Sequence, residues 1–243
     1  MIDLHCHILP GVDDGALDVE DSLGLARQAV NDGIELVCAT PHIRHDHDVR
    51  IEEVADRVEV LNERLRAEDL PVTVLTGGEV AETAVEGLGE DELARVALGR
   101  GRWILLEPAP GPLSDTLLAR VAHLSERGHR TLIAHPERHL SADMYERIAA
   151  LIAAGALVQA TADFFLRDQT AAGMRALAEA GLIHVLSSDA HSSLGGRPLH
   201  MAAAFGVLEG IEAVAPHLGW MRDAAPKAIV EGDDVVLPFG PLV

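Results

Sequence analysis

Histidines and carboxylates recur in this sequence in short, tight groups. They are His5-Cys6-His7, Pro41-His42, Gly78-Glu79, Glu107, His135-Pro136-Glu137-Arg138 and Asp189-Ala190-His191. Imidazole and carboxylate together are the ligand types that suit Mn, Fe or Zn. Three or more carboxylates in a small space repel one another unless cations lie among them, so several metals in one pocket fit this composition. With only Cys6 and Cys38 present, the matched cysteine pairs of a structural zinc site are missing. His5 and His7 have a definite geometry. In an extended segment residues two apart point the same way, so both imidazoles reach one metal while Cys6 turns away and packs. Asp14, in Val12-Asp13-Asp14-Gly15, can return a carboxylate to the same place; a plain Asx turn is the other reading.

Such a set works only if the fold gathers it. Short apolar runs occur at Ile2–Leu4, Ile34–Ala39, Val72–Thr76, Trp103–Leu106, Thr131–Ala134, Leu157–Ala160 and His184–Leu186. They lack polar alternation, as expected of strands buried on both faces. Between them the spacing turns helical, as in Leu23, Ala26, Ala29 and Val30 or in Ile148, Leu151 and Ile152. Gly33, Gly128, Gly155 and Gly181 each stand where a helix should end before the next strand. The pattern predicts an α/β fold with a mainly parallel sheet. Six of the seven runs are followed within three residues by a His, Asp or Glu of those groups, and in a β/α barrel those strand ends converge on one face. No linker or low-complexity tract interrupts residues 1–243, so one domain is expected. After Pro198 more helix is expected, then an apolar tail around Val235–Phe239.

Composition narrows the classes. Apolar residues make up 48% and aromatic ones 3%, which excludes a disordered chain and leaves the core to Ala, Val, Leu and Ile. The charge balance, 19 − 39 = −20, repels nucleic-acid phosphates and argues against a nucleic-acid partner. Two cysteines are too few for a disulfide framework. The start shows no secretory signal, and no apolar run approaches the ~18 residues of a membrane helix. A cytoplasmic protein without membrane insertion is expected.

In these motifs and their order the chain resembles the PHP superfamily, the polymerase-and-histidinol-phosphatase metal hydrolases. The signatures are Asp3-Leu4-His5-Cys6-His7, Ala39-Thr40-Pro41-His42, Gly78-Glu79, Ala134-His135-Pro136-Glu137-Arg138 and Ser188-Asp189-Ala190-His191. More narrowly, His7-Ile8-Leu9-Pro10-Gly11-Val12-Asp13-Asp14-Gly15, Leu105-Leu106-Glu107 and His135–Arg138 resemble the bacterial manganese-dependent protein-tyrosine phosphatases of capsule and exopolysaccharide clusters. The resemblance implies a distorted seven-stranded (β/α) barrel holding three divalent metals, Mn²⁺ first, with Fe or Zn as alternatives. It implies His5, His7, Glu79 and Asp189 on one metal. Glu79 bridges to a second with Glu107 and His135, and Asp14, His42 and His191 hold a third. It places Arg138 and Arg197 on the substrate phosphate. The substrate it implies is a phosphotyrosine protein, the tyrosine-rich tail of a bacterial kinase of polysaccharide export. Ala160-Thr161-Ala162-Asp163-Phe164-Phe165 departs from the Ser/Gly-rich stretch expected there, and it borders the pocket.

The chemistry expected is direct attack on phosphorus by a hydroxide bridging two metals, without a phosphoenzyme. Arginine forks neutralise the phosphate oxygens, and His42 or a metal-bound water protonates the leaving group where help is needed. Four rivals remain. Cys38-Ala-Thr-Pro-His-Ile-Arg44 has the Cys-x5-Arg spacing of thiol phosphatases, but it lacks glycine and Pro41 removes a donor. The others are a small-molecule phosphatase acting on histidinol phosphate or a similar ester, a metal-dependent nuclease, and a non-catalytic metal-binding module. His184 reads as core, and His123, His129 and His217 as surface. His45, His47, His139 and His200 lie near ligand motifs, and Arg44 reads as a solvated loop residue.

Overall fold

The computed structural model describes residues 1–99 and 101–240. Strands and helices alternate as β1 (Ile2–Cys6), α1 (Val19–Asn31), β2 (Leu36–Ala39), β3 (His42–Ile43), α2 (Val54–Ala67), β4 (Thr73–Leu75), β5 (Glu79–Ala81), α3 (Glu90–Val96) and β6 (Trp103–Glu107). They continue as α4 (Asp115–Glu126), β7 (Arg130–Ile133), α5 (Met144–Ala153), β8 (Leu157–Thr161), α6 (Ala171–Glu179), β9 (Val185–Ser187), α7 (Ala202–Glu209) and α8 (Ala225–Glu231). All strand pairings are parallel, in the orders β1-β2-β4 and β3-β5-β6-β7-β8-β9. The end of β1 also lies beside the segment that follows β9. Cys6 bridges Ala190, the Asp189 N–H donates to His5 O at 2.8 Å, and the His7 N–H donates to Ala190 O at 2.9 Å.

Local chemistry sets the elements. Asp18 caps α1 by accepting from the Asp21 N–H at 3.0 Å, and Ser114 caps α4 by accepting from the Leu117 N–H at 3.2 Å. The four glycines expected to end helices all adopt left-handed backbone, with φ of 77° at Gly33, 83° at Gly128, 94° at Gly155 and 69° at Gly181. Strand residues alternate between two apolar clusters. Ile2, Leu4, Trp103, Leu105, Leu132, Leu157 and Val185 join one with Ile229 of α8. Val37, Ile104, Leu106, Ile133, Val158 and Leu186 join the other with the remaining helices. Burial on both faces explains the continuous apolar runs.

The seven predicted runs become nine strands, because two are continued by separate short strands. After β2 the chain passes Thr40-Pro41 and resumes as β3; after β4 it passes Thr76-Gly77-Gly78 and resumes as β5. Pro41 has no N–H to give a ladder. At Gly77 a Cβ would meet the Leu98 side chain at 3.0 Å and Ala39 O at 3.1 Å; at Gly78 it would meet Ile43 at 2.9 Å and Val96 at 3.0 Å. The Ala39 carbonyl and the Leu98 side chain at Gly77, and the Ile43 and Val96 side chains at Gly78, leave little room for a Cβ. The breaks move the second halves into the other sheet, where His42 and Glu79 pair side by side. The apolar tail forms no regular element. Leu237 and Phe239 pack against the core, and Asp234 pairs with Arg102 and Arg130 at 2.7 and 2.8 Å.

Candidate metal centre

Glu79, the first residue of β5, is fully buried, and its carboxylate is the hub of the strand-end face. Oε2 lies 3.4 Å from His5 Nε2, 3.3 Å from His7 Nε2 and 2.9 Å from His42 Nδ1, while Oε1 lies 2.8 Å from His135 Nε2. Burial pushes its pKa up, but the surrounding imidazoles outweigh this and hold it well below the usual carboxylate range. The ligand atoms gather in four overlapping groups, each with mutual separations under 4.8 Å. These are His7, Asp14, His42 and His191; His5, His135 and Asp189; His5, His7 and Glu79; and His42, Glu79 and Glu107. All nine predicted metal ligands are therefore in one place. The groups differ in detail from the expected sets: His7 also joins Asp14, His42 and His191, and it is His42 that shares a group with Glu79 and Glu107.

The protein holds these rings in register for a cation. Gln159 Oε1 accepts from the His135 N–H at 3.3 Å, which fixes it as an acceptor, so His5 Nδ1 donates to it at 3.1 Å. His7 Nδ1 donates to Asp13 Oδ2 at 2.8 Å. Both Nε2 lone pairs are then directed into the site, 3.2 Å apart and beside a carboxylate. Two imidazole lone pairs this close together and beside a carboxylate suit a cation, a proton or a metal ion. The pKa of His7 reflects this. Burial lowers it, but Asp13 and Glu79 outweigh burial and raise it to about 9. Gathered imidazoles and carboxylates that hold a proton this firmly fit divalent cations in its stead.

Asp13, Gln159, Asp3 and Ser188 were missed as site residues. Asp3 accepts from the Ser188 N–H at 3.0 Å, the Ser188 hydroxyl at 2.5 Å and the His5 N–H at 3.2 Å, which pins the turn carrying Asp189. A polar residue inside a doubly buried strand, as Asp3 and Gln159 are, was the available signal. His135 and Asp189 both have left-handed φ, 32° and 50°. Non-glycine residues keep such angles only where surrounding bonds over-determine them.

Two arginines close the site. Arg138 Nη2 is on the Asp189 carboxylate and 3.3 Å from Thr161 Oγ1. Arg197 Nε donates to Asp189 O at 2.6 Å, and its Nη2 lies 3.2 Å from Asp189 Oδ1. Arg138 Nε has no partner among the described residues. Burial and the nearby Arg197 charge lower the Arg138 pKa, as expected of paired guanidiniums collected for an anion. Arg44 departs from the solvated-loop reading. It is half-buried, and its Nη1 lies 3.4 Å from Glu107 Oε2.

The capsular polysaccharide synthesis family CpsB/CapC matches residues 1–211. The chain belongs to the CpsB/CapC family. It is 37% identical over 221 residues to the tyrosine-protein phosphatase YwqE of Bacillus subtilis, covering 86% of this chain and 84% of YwqE. It is 29% identical over 213 residues to the putative tyrosine-protein phosphatase CapC of Staphylococcus aureus, covering 84% and 82%. Among solved structures it superposes with TM-score 0.83, 32% identity and full coverage of both chains on one described with YwqE from Bacillus subtilis and CpsB from Streptococcus pneumoniae, unique metal-dependent tyrosine phosphatases.

In this CpsB/CapC chain the thiol rival fails. Cys38 is fully buried in β2, and burial with the nearby Asp3 charge holds its thiol far above the ordinary range. The remaining histidines separate by environment. His45 is exposed, and the His47 ring lies 4.8 Å from that of His42. His139 Nδ1 donates to Gly111 O at 2.7 Å, and His200 is half-buried. His123, His129 and His217 are half-buried rather than on the open surface, and His217 packs 4.9 Å from Phe239.

Proposed function

We propose that this chain is a metal-dependent protein-tyrosine phosphatase that hydrolyses phosphomonoesters without a covalent phosphoenzyme. One observation carries the reading: the buried Glu79 carboxylate, shared by four imidazoles, beside two arginines that meet on Asp189. Its family membership and its likeness to metal-dependent tyrosine phosphatases support it.

The ligand roles follow from the family resemblance. It gives His5, His7, Glu79 and Asp189, then Glu79, Glu107 and His135, then Asp14, His42 and His191 to three divalent ions, Mn²⁺ by preference, whereas the gathered side chains divide the same nine residues differently. Such ions activate water near neutral pH and offset charge on the phosphate. Arg138 and Arg197 bind and orient the non-bridging oxygens, and their charge grows in value as the transition state forms. Gln159 and Asp13 hold His5 and His7 to one tautomer. His42, whose Nε2 lies 3.4 Å from the exposed Asp14, would serve as a ligand rather than a proton donor, and a phenolate departs with little such help. The finer reading is one domain over residues 1–243, its sheets forming a distorted seven-stranded barrel. It acts in the cytoplasm on a phosphotyrosine protein such as a tyrosine kinase of polysaccharide export. No described helix is long and apolar enough to cross a membrane.

The test is phosphate release from a phosphotyrosine peptide by metal-stripped protein, with and without added Mn²⁺. Histidinol phosphate is assayed in parallel. Activity on the peptide only when metal returns is expected. Metal-dependent activity on histidinol phosphate alone would move the substrate class, and activity without metal would overturn the reading.

A further inference from the structure

The segment after β8 carries two phenylalanines with different duties. Phe165 is 2% exposed and belongs to the core. Phe164 is only half-buried and lies under two guanidiniums. The Arg138 Cζ lies 5.5 Å from its ring centroid and the Arg167 Cζ 5.2 Å. Arg138 is the residue that reaches Asp189 at the metal centre. Arg167 is fixed in turn by Asp163, and the Phe164 carbonyl accepts from the Thr170 hydroxyl at 2.6 Å. The chain has four Phe, two Trp and one Tyr. Of these, Phe164 alone lies over a site arginine among the described residues.

We infer that Phe164 is the specificity residue for the aryl group of the substrate. The inference rests on the phosphatase reading and goes beyond it. A phosphate held by the Arg138 fork carries its ester oxygen, and the ring attached to it, a short covalent distance from the guanidinium. Aromatic pairs are favoured at centroid separations of about 4.5–7 Å, offset or edge-to-face. A phenyl ester on Arg138 therefore brings its ring within packing range of Phe164. A seryl or alkyl phosphate puts no ring there. The two guanidiniums over the Phe164 ring hold it by its electron-rich face, so the wall is formed before substrate arrives. An ordered wall is worth more to binding than one that must be ordered on contact.

The test uses metal-loaded enzyme and three variants, Phe164→Ala, Phe164→Leu and Phe164→Tyr. Leu keeps apolar bulk without a ring, which guards against a simple folding defect in Ala. Two matched peptides, phosphotyrosine and phosphoserine, are assayed. Binding of phenylphosphonate, methylphosphonate and inorganic phosphate is measured by calorimetry. In Ala and Leu, KM for the phosphotyrosine peptide and Kd for phenylphosphonate should rise by roughly 3- to 10-fold. Tyr should restore both. Methylphosphonate and inorganic phosphate should bind as in the unaltered enzyme. If all three anions weaken together, Phe164 only props Arg138 and the inference falls. It also falls if the phenyl-to-methyl ratio is unmoved while unaltered enzyme cleaves phosphotyrosine. Unaltered, metal-loaded enzyme that cleaves neither peptide would instead overturn the phosphatase reading itself.

Discussion

His7 and His184 are buried to nearly the same degree at opposite ends of the strands, and burial has opposite outcomes for them. His7 follows β1 and is 1% exposed; His184 precedes β9 and is fully enclosed. Burial alone disfavours an imidazolium, and for His184 nothing opposes it, so its pKa falls to about 3. Its Nδ1 accepts the Val158 N–H at 2.9 Å, and the rings of Trp220 and Phe239 lie 6.2 and 5.8 Å away. For His7 the same burial is overcome by Asp13 and Glu79, and its pKa rises to about 9. The neighbours, not the depth, decide whether a buried histidine is packing or machinery. One end of the fold collects carboxylates and needs cations; the other is dry and needs a neutral ring.

The strongest way to break this contrast is to remove the charge at its centre. Glu79→Gln keeps the shape but loses the anion that four imidazoles share. It should drop bound metal, read by elemental analysis, and reduce phosphotyrosine turnover to background. Retained metal with normal turnover would remove Glu79 from the centre. Arg138→Ala acts on the substrate side and also frees the Asp189 carboxylate that its Nη2 meets. It should keep its metal and lose roughly 10²-fold in kcat/KM, the scale of one lost transition-state donor. Normal hydrolysis would cancel its phosphate role.

Much of the contrast was legible in the sequence. His184 reads as core because it lies in an apolar run, and His5, His7, His42, Glu79, Glu107, His135, Asp189 and His191 read as site residues because each follows such a run. The sharing of ligands was less legible. It depends on how β2 and β4 break before β3 and β5, and Pro41, Gly77 and Gly78 mark those breaks without giving their direction. Asp13 was invisible for another reason. It stands beside Asp14 in one turn, and only the fold shows that Asp13 turns inward to His7 while Asp14 stays exposed.

Asp13→Asn sharpens the comparison by weakening one of the two groups that make His7 unlike His184. Metal affinity should fall by about 10- to 100-fold, the usual cost of losing a partner behind a ligating histidine. Metal uptake must also displace the proton on His7. In the unaltered protein affinity should rise with pH toward about 9, with proton release seen as a buffer-dependent heat. In the variant this rise should end at lower pH. An unchanged profile would mean that Asp13 does not govern His7.

The smallest effect belongs to the other end. His184 stays neutral in the fold down to about 3, whereas the unfolded chain takes up a proton near 6.5. Its folded pKa is depressed, so stability is retained above about pH 6.5 and is lost as pH falls from there toward 3. Between pH 7 and pH 5 this single group costs about 2 kcal/mol. His184→Leu removes that titration and should flatten the acid limb of unfolding relative to the unaltered chain. Losses due to metal release are common to both proteins and cancel in the difference. At neutral pH the variant leaves the Val158 N–H without its acceptor and should lose about 1–3 kcal/mol, with metal content and kcat intact. Parallel acid limbs in urea titrations at pH 5 and pH 7 would mean that His184 is solvated or paired in a way its dry surroundings do not allow.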